Sequence, residues 1–189
     1  MLDNNPKIEH NHHMRKLIVY FHGYGSNANT DKVKRLRDGL KDAEVFAWDI
    51  DIDPDVAFDQ LSDHINMEIL AEKPLEAQAK LIFVGTSLGG WYAQQMADMY
   101  GCEAFLINPA FDPGNSLKKY GVSNEIIEAY KPLNFRSCYH YFIAKDDEVI
   151  DFELVREELE KLNTTFVDGA GHRFNGPEFD LVINAINAL

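Results

Sequence analysis

The segment LIFVGTSLGGWYAQQM, residues 81–96, constrains this chain more than any other. An apolar run ends at Gly85-Thr86-Ser87-Leu88-Gly89, a G-x-S-x-G pentapeptide, and a helix-forming run follows with no linker. A strand that becomes a helix within so few residues holds its central serine in a strained backbone conformation. It needs Gly85 and Gly89 because neighbouring chain passes where a Cβ would stand. The Ser87 hydroxyl then projects above the sheet edge at a helix N-terminus, where free N–H groups and the helix dipole favour developing negative charge. The bland alternative is a structural Gly-rich turn with an idle serine.

Short β-branched or aromatic runs alternate with amphipathic stretches along the rest of the chain, and no repeat or low-complexity block intervenes. Strands are expected at Lys16–Phe21, Glu44–Trp48, Lys80–Val84, Ala104–Ile107, Cys138–Ile143 and Thr164–Val167. Most are continuous apolar runs, the pattern of strands covered on both faces. The expected fold class is therefore α/β, three layers around a mostly parallel sheet of about six strands. Helices are expected at about 30–41, 56–71, 88–100, 152–162 and 177–188. The second carries Val56, Ala57, Leu61, Ile65 and Ile69 at helical spacing, and the last opens on Gly176-Pro177 as cap and first-turn pair. The stretch 109–136 breaks the rhythm with turn residues, aromatics and only one short helix, and its length suits a lid-like cover over a site.

At 189 residues one domain, 16–189, must supply both core and site, with 1–15 as a disordered extension. A composition of 46% hydrophobic and 26% charged residues excludes a disordered chain. The formal charge of −13 excludes nucleic-acid partners, since phosphate neutralisation needs a Lys/Arg surplus. Lys32, Lys34, Arg35, Arg37 and Lys41 read as the solvated face of one helix. The same charge disfavours strongly anionic substrates unless a local basic patch, such as Lys118-Lys119, receives them. No apolar run approaches the ~18 residues of a membrane span, and residues 1–14 hold no apolar signal core, so the expected location is cytoplasmic. Cys102 and Cys138 lack metal-site spacing and read as reduced, packed thiols.

A nucleophilic serine needs a base, and the base needs an orienting acid. YFIAKDDEVIDF at 141–152 ends a strand with Asp146, Asp147 and Glu148, and VDGAGHRFNGP at 167–177 places His172 in a Gly-rich loop after the last strand. Ala144 and Ile150 frame Asp147 in an A/G-x-x-D-x-x-V/I pattern, which favours Asp147 over Asp146 as the acid; Asp151 reads as a helix N-cap. In LIVYFHGYGSN at 17–27, His22-Gly23 follows a buried strand. Gly23 lets the backbone swing over the sheet so that the Tyr24 N–H, paired with the Leu88 N–H, can point at an acyl oxygen. Tyr24, Trp91, Phe111 and Tyr120 are candidate lining for an acyl pocket, with ordinary core packing the alternative. Asp49, Asp51, Asp53 and Asp55 mimic a calcium loop, but Pro54 and Gln60 stand where it needs glycine and glutamate. GYGSN does not match either phosphate-loop pattern. His10, His12 and His13 sit on the expected mobile tail, so no metal site is expected.

FHGYGSN, GTSLGGWYA, INPAF at 107–111, DDEVID and GHRF, in that order, resemble a small α/β-hydrolase, and more narrowly the bacterial YqiA/YcfP group of compact esterase-like proteins. The resemblance runs from about Lys16 to Leu189. It implies cofactor-free hydrolysis of a small-molecule carboxylic ester or thioester by Ser87, Asp147 and His172, with Tyr24 and Leu88 as backbone donors, and a sheet that lacks the two leading strands of larger relatives. The rival from a different class is a non-catalytic scaffold of the same fold that binds a partner or small molecule in the same cleft.

Overall fold

The computed structural model describes residues 15–71 and 79–189. Six strands, β1 (Arg15–Phe21), β2 (Ala43–Ala47), β3 (Ala79–Thr86), β4 (Glu103–Ile107), β5 (His140–Ala144) and β6 (Asn163–Val167), form one sheet in the order 2-1-3-4-5-6. All five neighbouring pairs are parallel. The central strands carry continuous apolar runs, such as 17–21 and 81–84, because both faces are covered. Leu17, Val19 and Phe21 of β1 pack on one side, and Ile18 and Tyr20 on the other. The edge strands β2 and β6 are only half buried.

The helices are α1 (Asp31–Gly39), α2 (Pro54–His64), α3 (Leu88–Tyr100), α4 (Pro113–Leu117), α5 (Asn124–Ala129), α6 (Arg156–Leu159) and α7 (Phe179–Asn187). One layer holds α1 and α7, through Val33, Leu36, Phe179, Val182 and Ile186. The other holds α2, α3, α6 and the stretch after β4, through Leu61, Tyr92, Met96, Leu117, Tyr130 and Leu159. Winding proceeds from β1 to β2 on one side and then returns to β3 on the other. The carboxyl ends of β1 and β3 therefore flank a crevice where the direction of winding switches, the usual ligand position in such sheets.

Several boundaries differ from the sequence reading. The second helix starts at Pro54, not 56, because Pro54 occupies the first turn and Asp53 caps it by accepting from Asp55 N–H at 3.0 Å; from Ile65 to Leu70 it widens into a π-helix. The last helix starts at Phe179, not at the Gly176-Pro177 pair. The Glu178 carboxylate turns back onto Gly176 N–H and closes the turn before the helix. The helix expected at 152–162 shrinks to a 3₁₀ turn, Phe152–Val155, and the four-residue α6; Asp151 does cap it, accepting from Glu153 N–H at 3.1 Å. The stretch 109–136 carries two short helices and a 3₁₀ turn, Lys118–Tyr120, not one helix.

That stretch is fastened to α3 and to the connection between β2 and α2. Trp91 donates its indole N–H to Lys131 O, Gln94 bonds Asn134 O, and the Tyr130 hydroxyl joins Tyr92 and donates to Ile52 O at 2.8 Å. Cys138 is exposed in the turn before β5 rather than packed, while Cys102 is half-buried and its thiol is pushed up to about 12 by burial. The 1–14 head, with His10, His12 and His13, lies outside the described residues. Among the described residues no helix is long and apolar enough to cross a membrane, and no group of three His, Cys, Asp or Glu is placed to hold a metal ion.

Candidate active site

Ser87 joins β3 to α3 at φ 57°, ψ −123°, a strained conformation for a residue with a side chain. A serine in this place commonly caps its helix, but Ser87 makes no side-chain cap. Its backbone is held from both sides, N–H on Ile107 O and C=O on Ala110 N–H, each at 3.0 Å. The two flanking glycines make the turn sterically possible. A Cβ on Gly85 would stand 2.1 Å from Gly89 O, and one on Gly89 would stand 2.1 Å from Phe21 O and 2.5 Å from His22 O. Those neighbours are backbone and cannot swing away. Gly89→Ala is therefore expected to cost about 3 kcal/mol or more, read as a lowered urea midpoint; an unchanged midpoint would refute the close-approach argument.

The free Ser87 Oγ lies 3.0 Å from His172 Nε2, and His172 Nδ1 lies 2.8 and 3.0 Å from the two oxygens of Asp147. A carboxylate on Nδ1 fixes the proton there, which leaves Nε2 to accept from the serine hydroxyl. Asp147 is 2% exposed at its side chain, and its Oδ1 also accepts from Val149 and Ile150 N–H at 2.8 Å. Of the two aspartates weighed from the sequence, Asp147 faces the imidazole, and Asp146 instead accepts from Gly171 N–H at 3.2 Å. Glu148 accepts from His172 N–H at 2.9 Å, so three successive acids all hold the histidine loop, each at a different atom.

Gly23 brings the loop after β1 against the serine: a Cβ there would stand 3.3 Å from Ser87 Cβ and from Thr86 O. Ile50 N–H donates to His22 Nε2 at 3.1 Å, so His22 Nδ1 carries the proton and donates to Gly23 O at 2.9 Å. Carbonyl and N–H of one trans peptide point in opposite directions, so this bond also fixes the direction of the Tyr24 N–H. Leu88 is the first residue of α3, where an N–H has no acceptor within the helix. In the sequence His22 stands out only as the partner of Gly23; its bond to Ile50 joins loops 28 residues apart and leaves no local sequence signal.

A cavity of about 620 Å³ opens over Ser87 and His172. Its lining combines apolar residues, Leu88, Ala110, Pro113, Leu117, Tyr120 and Ile150, with polar ones, Tyr20, Thr30, Lys32, Thr86, Arg173 and Asn175. Burial pushes the Tyr20 phenol up to about 12, so it stands neutral beside the Thr86 hydroxyl at 3.2 Å. Of the four aromatics singled out in the sequence, Tyr24 and Tyr120 line the cavity and lie 5.0 Å apart between ring centroids. Trp91 and Phe111 do not: Trp91 packs on Phe58, Tyr92 and Tyr130, and Phe111 on Phe135.

The basic groups on the cavity wall are Lys32 and Arg173, not Lys118 and Lys119. Lys32 is also no part of a solvated helix face. It is 8% exposed and donates to Arg173 O and Asn175 Oδ1, while Arg35 beside it bonds Asn175 O, Gly176 O and Asp180. These bonds tie α1 to the chain that follows His172. Burial, then Arg35 and Arg173, lower the Lys32 ammonium to about 8. Between about pH 8 and the unfolded value near 10.4 the unfolded chain holds the extra proton, so stability rises with pH in that window; the cost of the buried charge is in full force below it. Lys32→Met removes this slope. The difference between the urea midpoints of wild type and variant is expected to move in favour of the wild type from pH 7 to 10; equal slopes would refute it.

The acidic run 49–55 acts as a strand-to-helix connection: Asp49 accepts from Ala28 N–H, Asp51 from Asp53 N–H, and Asp53 caps α2.

A parallel sheet wound in this order, with a strained serine turn at the carboxyl end of β3, defines an α/β-hydrolase-fold protein. Solved structures of the same architecture include the mouse alpha/beta hydrolase domain-containing protein 10 (14% identity, 91% of this chain and 88% of that one, TM-score 0.63). An esterase from Pyrococcus furiosus is similar in the same degree (14% identity, 94% and 82%, TM-score 0.63). The chain belongs to the uncharacterised protein family UPF0227, whose model matches residues 17–129, the family of the YqiA/YcfP group that its motifs resemble. That match takes in Gly23, Tyr24 and Ser87, while Asp147 and His172 lie beyond it. A UPF0227 protein of Shewanella woodyi is 21% identical over 77% of this chain and 83% of its own length.

Proposed function

We propose that the protein is a serine hydrolase that cleaves small carboxylic esters or thioesters through an acyl-enzyme. The observation that carries this reading is the unbroken hydrogen-bond chain from Asp147 through His172 to Ser87, with the serine side chain committed to the histidine and not to its helix. His172 Nε2 takes the hydroxyl proton as Ser87 Oγ attacks the acyl carbon, and Asp147 stabilises the imidazolium that forms. The N–H groups of Tyr24 and Leu88 receive the negative charge that develops on the acyl oxygen. The tetrahedral intermediate collapses as His172 returns the proton to the leaving alcohol or thiol. Water then repeats the sequence on the acyl-enzyme and regenerates the Ser87 hydroxyl.

The apolar lining residues, Leu88, Leu117 and Tyr120 among them, suit an acyl chain, and the polar ones suit a polar alcohol or thiol, which His172 on the same wall would protonate as it leaves. The test is a panel of nitrophenyl esters and acyl thioesters of graded chain length, together with labelling by a fluorophosphonate. A burst of leaving group and stoichiometric labelling of the folded protein are expected. No turnover and no labelling across the panel would refute the reading in favour of the non-catalytic scaffold.

A further inference from the structure

Asn108 lies at the carboxyl end of β4, 1% exposed, with a left-handed φ of 41°. The β4–β5 ladder runs to the pair Ile107 and Phe142, and Asn108 N–H adds one further bond to Phe142 O at 2.9 Å. In a straight parallel ladder the next bond would run from Ala144 N–H to the carbonyl of residue 108. Here the chain has turned away, and the side-chain Oδ1 of Asn108 accepts from Ala144 N–H instead, at 2.7 Å. The amide nitrogen of the same side chain reaches the other way and donates to Gly171 O at 3.0 Å and His172 O at 3.1 Å. The side chain thus turns its acceptor to the end of β5 and its amide nitrogen to two successive carbonyls of the histidine loop.

We infer that Asn108 is a positioning residue that sets the alignment of Ser87, Asp147 and His172; this rests on the reading of those three as the reacting triad. Each triad member sits on a segment that this one turn holds. Ile107 and Ala110, one and two residues away, bond the N–H and C=O of Ser87. Ala144, held by Asn108 Oδ1, accepts from Asp147 N–H at 3.4 Å and so starts the turn that carries the acid. His172 is held at its own carbonyl. Asparagine also suits the site conformationally, since it enters the left-handed region more readily than most residues with a Cβ. No side chain of another type offers that backbone together with one acceptor and two donors in a plane.

Two variants separate this role from simple packing. Asn108→Gly keeps the left-handed backbone and removes the amide, and Asn108→Asp keeps the shape and the acceptor for Ala144 but sets an oxygen against two carbonyls. Each is expected to lower kcat by about 10²-fold with KM little changed, the usual consequence of an active-site misplacement near 1 Å. The downfield proton resonance of His172 Nδ1–H should shift or broaden in both folded variants. Wild-type kcat and an unshifted His172 resonance in Asn108→Asp would overturn the inference, as would a loss confined to KM. Failure of the triad reading looks different: the wild type itself would then not be labelled by a fluorophosphonate.

Discussion

Ser87→Ala is expected to abolish fluorophosphonate labelling and to lower kcat on an activated ester by about 10⁶-fold, the scale set by removal of a triad nucleophile. The fold should survive, because the contacts that shape the turn are made by the backbone. Ile107 O and Ala110 N–H grip Ser87 at its peptide groups, and the clearances at Gly85 and Gly89 do not involve the hydroxyl. The variant even loses a group with no role in the helix cap. Thermal or urea stability should therefore match or slightly exceed the wild type, in line with strained active-site residues being costly to stability. Substrate KM should change little, since Oγ bonds the substrate only as the reaction proceeds. Residual labelling at an unchanged rate would move the nucleophile elsewhere, and a Ser87→Ala variant that keeps the full biological activity would favour the binding scaffold over the enzyme.

The second large effect is expected at the acid. Asp147→Asn should lower kcat by about 10⁴-fold, by analogy with the same substitution in protease triads. The asparagine amide can present N–H to His172 Nδ1, which then becomes the acceptor. The proton moves to Nε2, and the imidazole can no longer take a proton from Ser87. The Val149 and Ile150 N–H groups favour that orientation, because they keep an oxygen at the Oδ1 position and leave the amide nitrogen to face His172. Asp146→Asn is the control. Its partner is the Gly171 N–H, which an amide oxygen can still accept, so the cost should be small. Steady-state kinetics on both variants decide the matter, and the opposite order of effects would transfer the role of the acid to Asp146.

The two aspartates illustrate what local pattern can reach. Ala144 and Ile150, which frame Asp147, are both buried, 0% and 7% exposed, and of the two adjacent carboxylates the one between them faces His172. The same kind of reasoning failed at Lys32. Five basic residues on one helix look like a solvated face, yet Lys32 lies on the inward side with Val33 and Leu36, and its charge is accepted by a carbonyl and an amide more than 140 residues away. For Trp91 the sequence leaves pocket lining and core packing open. Its place one turn beyond Ser87 suggests pocket lining, but the direction of a helical side chain depends on which layer covers the helix, and here the stretch after β4 does so through Tyr130 and Lys131.

By itself, then, the sequence determined the alternation of strands and helices, the parallel sheet, the serine turn and the chain order of the candidate residues Ser87, Asp147 and His172. Each of these is written in short-range chemistry: apolar runs, glycine where a Cβ will not fit, and loops at strand ends. The tertiary structure alone decided how those strand ends meet. It selected the pair of bonds that aims the Gly23–Tyr24 peptide, the burial of Lys32, and the Asn108 amide that joins β4, β5 and the histidine loop. The physical reason is that a hydrogen bond between strand ends carries no signal in the spacing of its partners. Asn108 and Gly171 stand 63 residues apart, and only the closing of the parallel sheet brings them within reach.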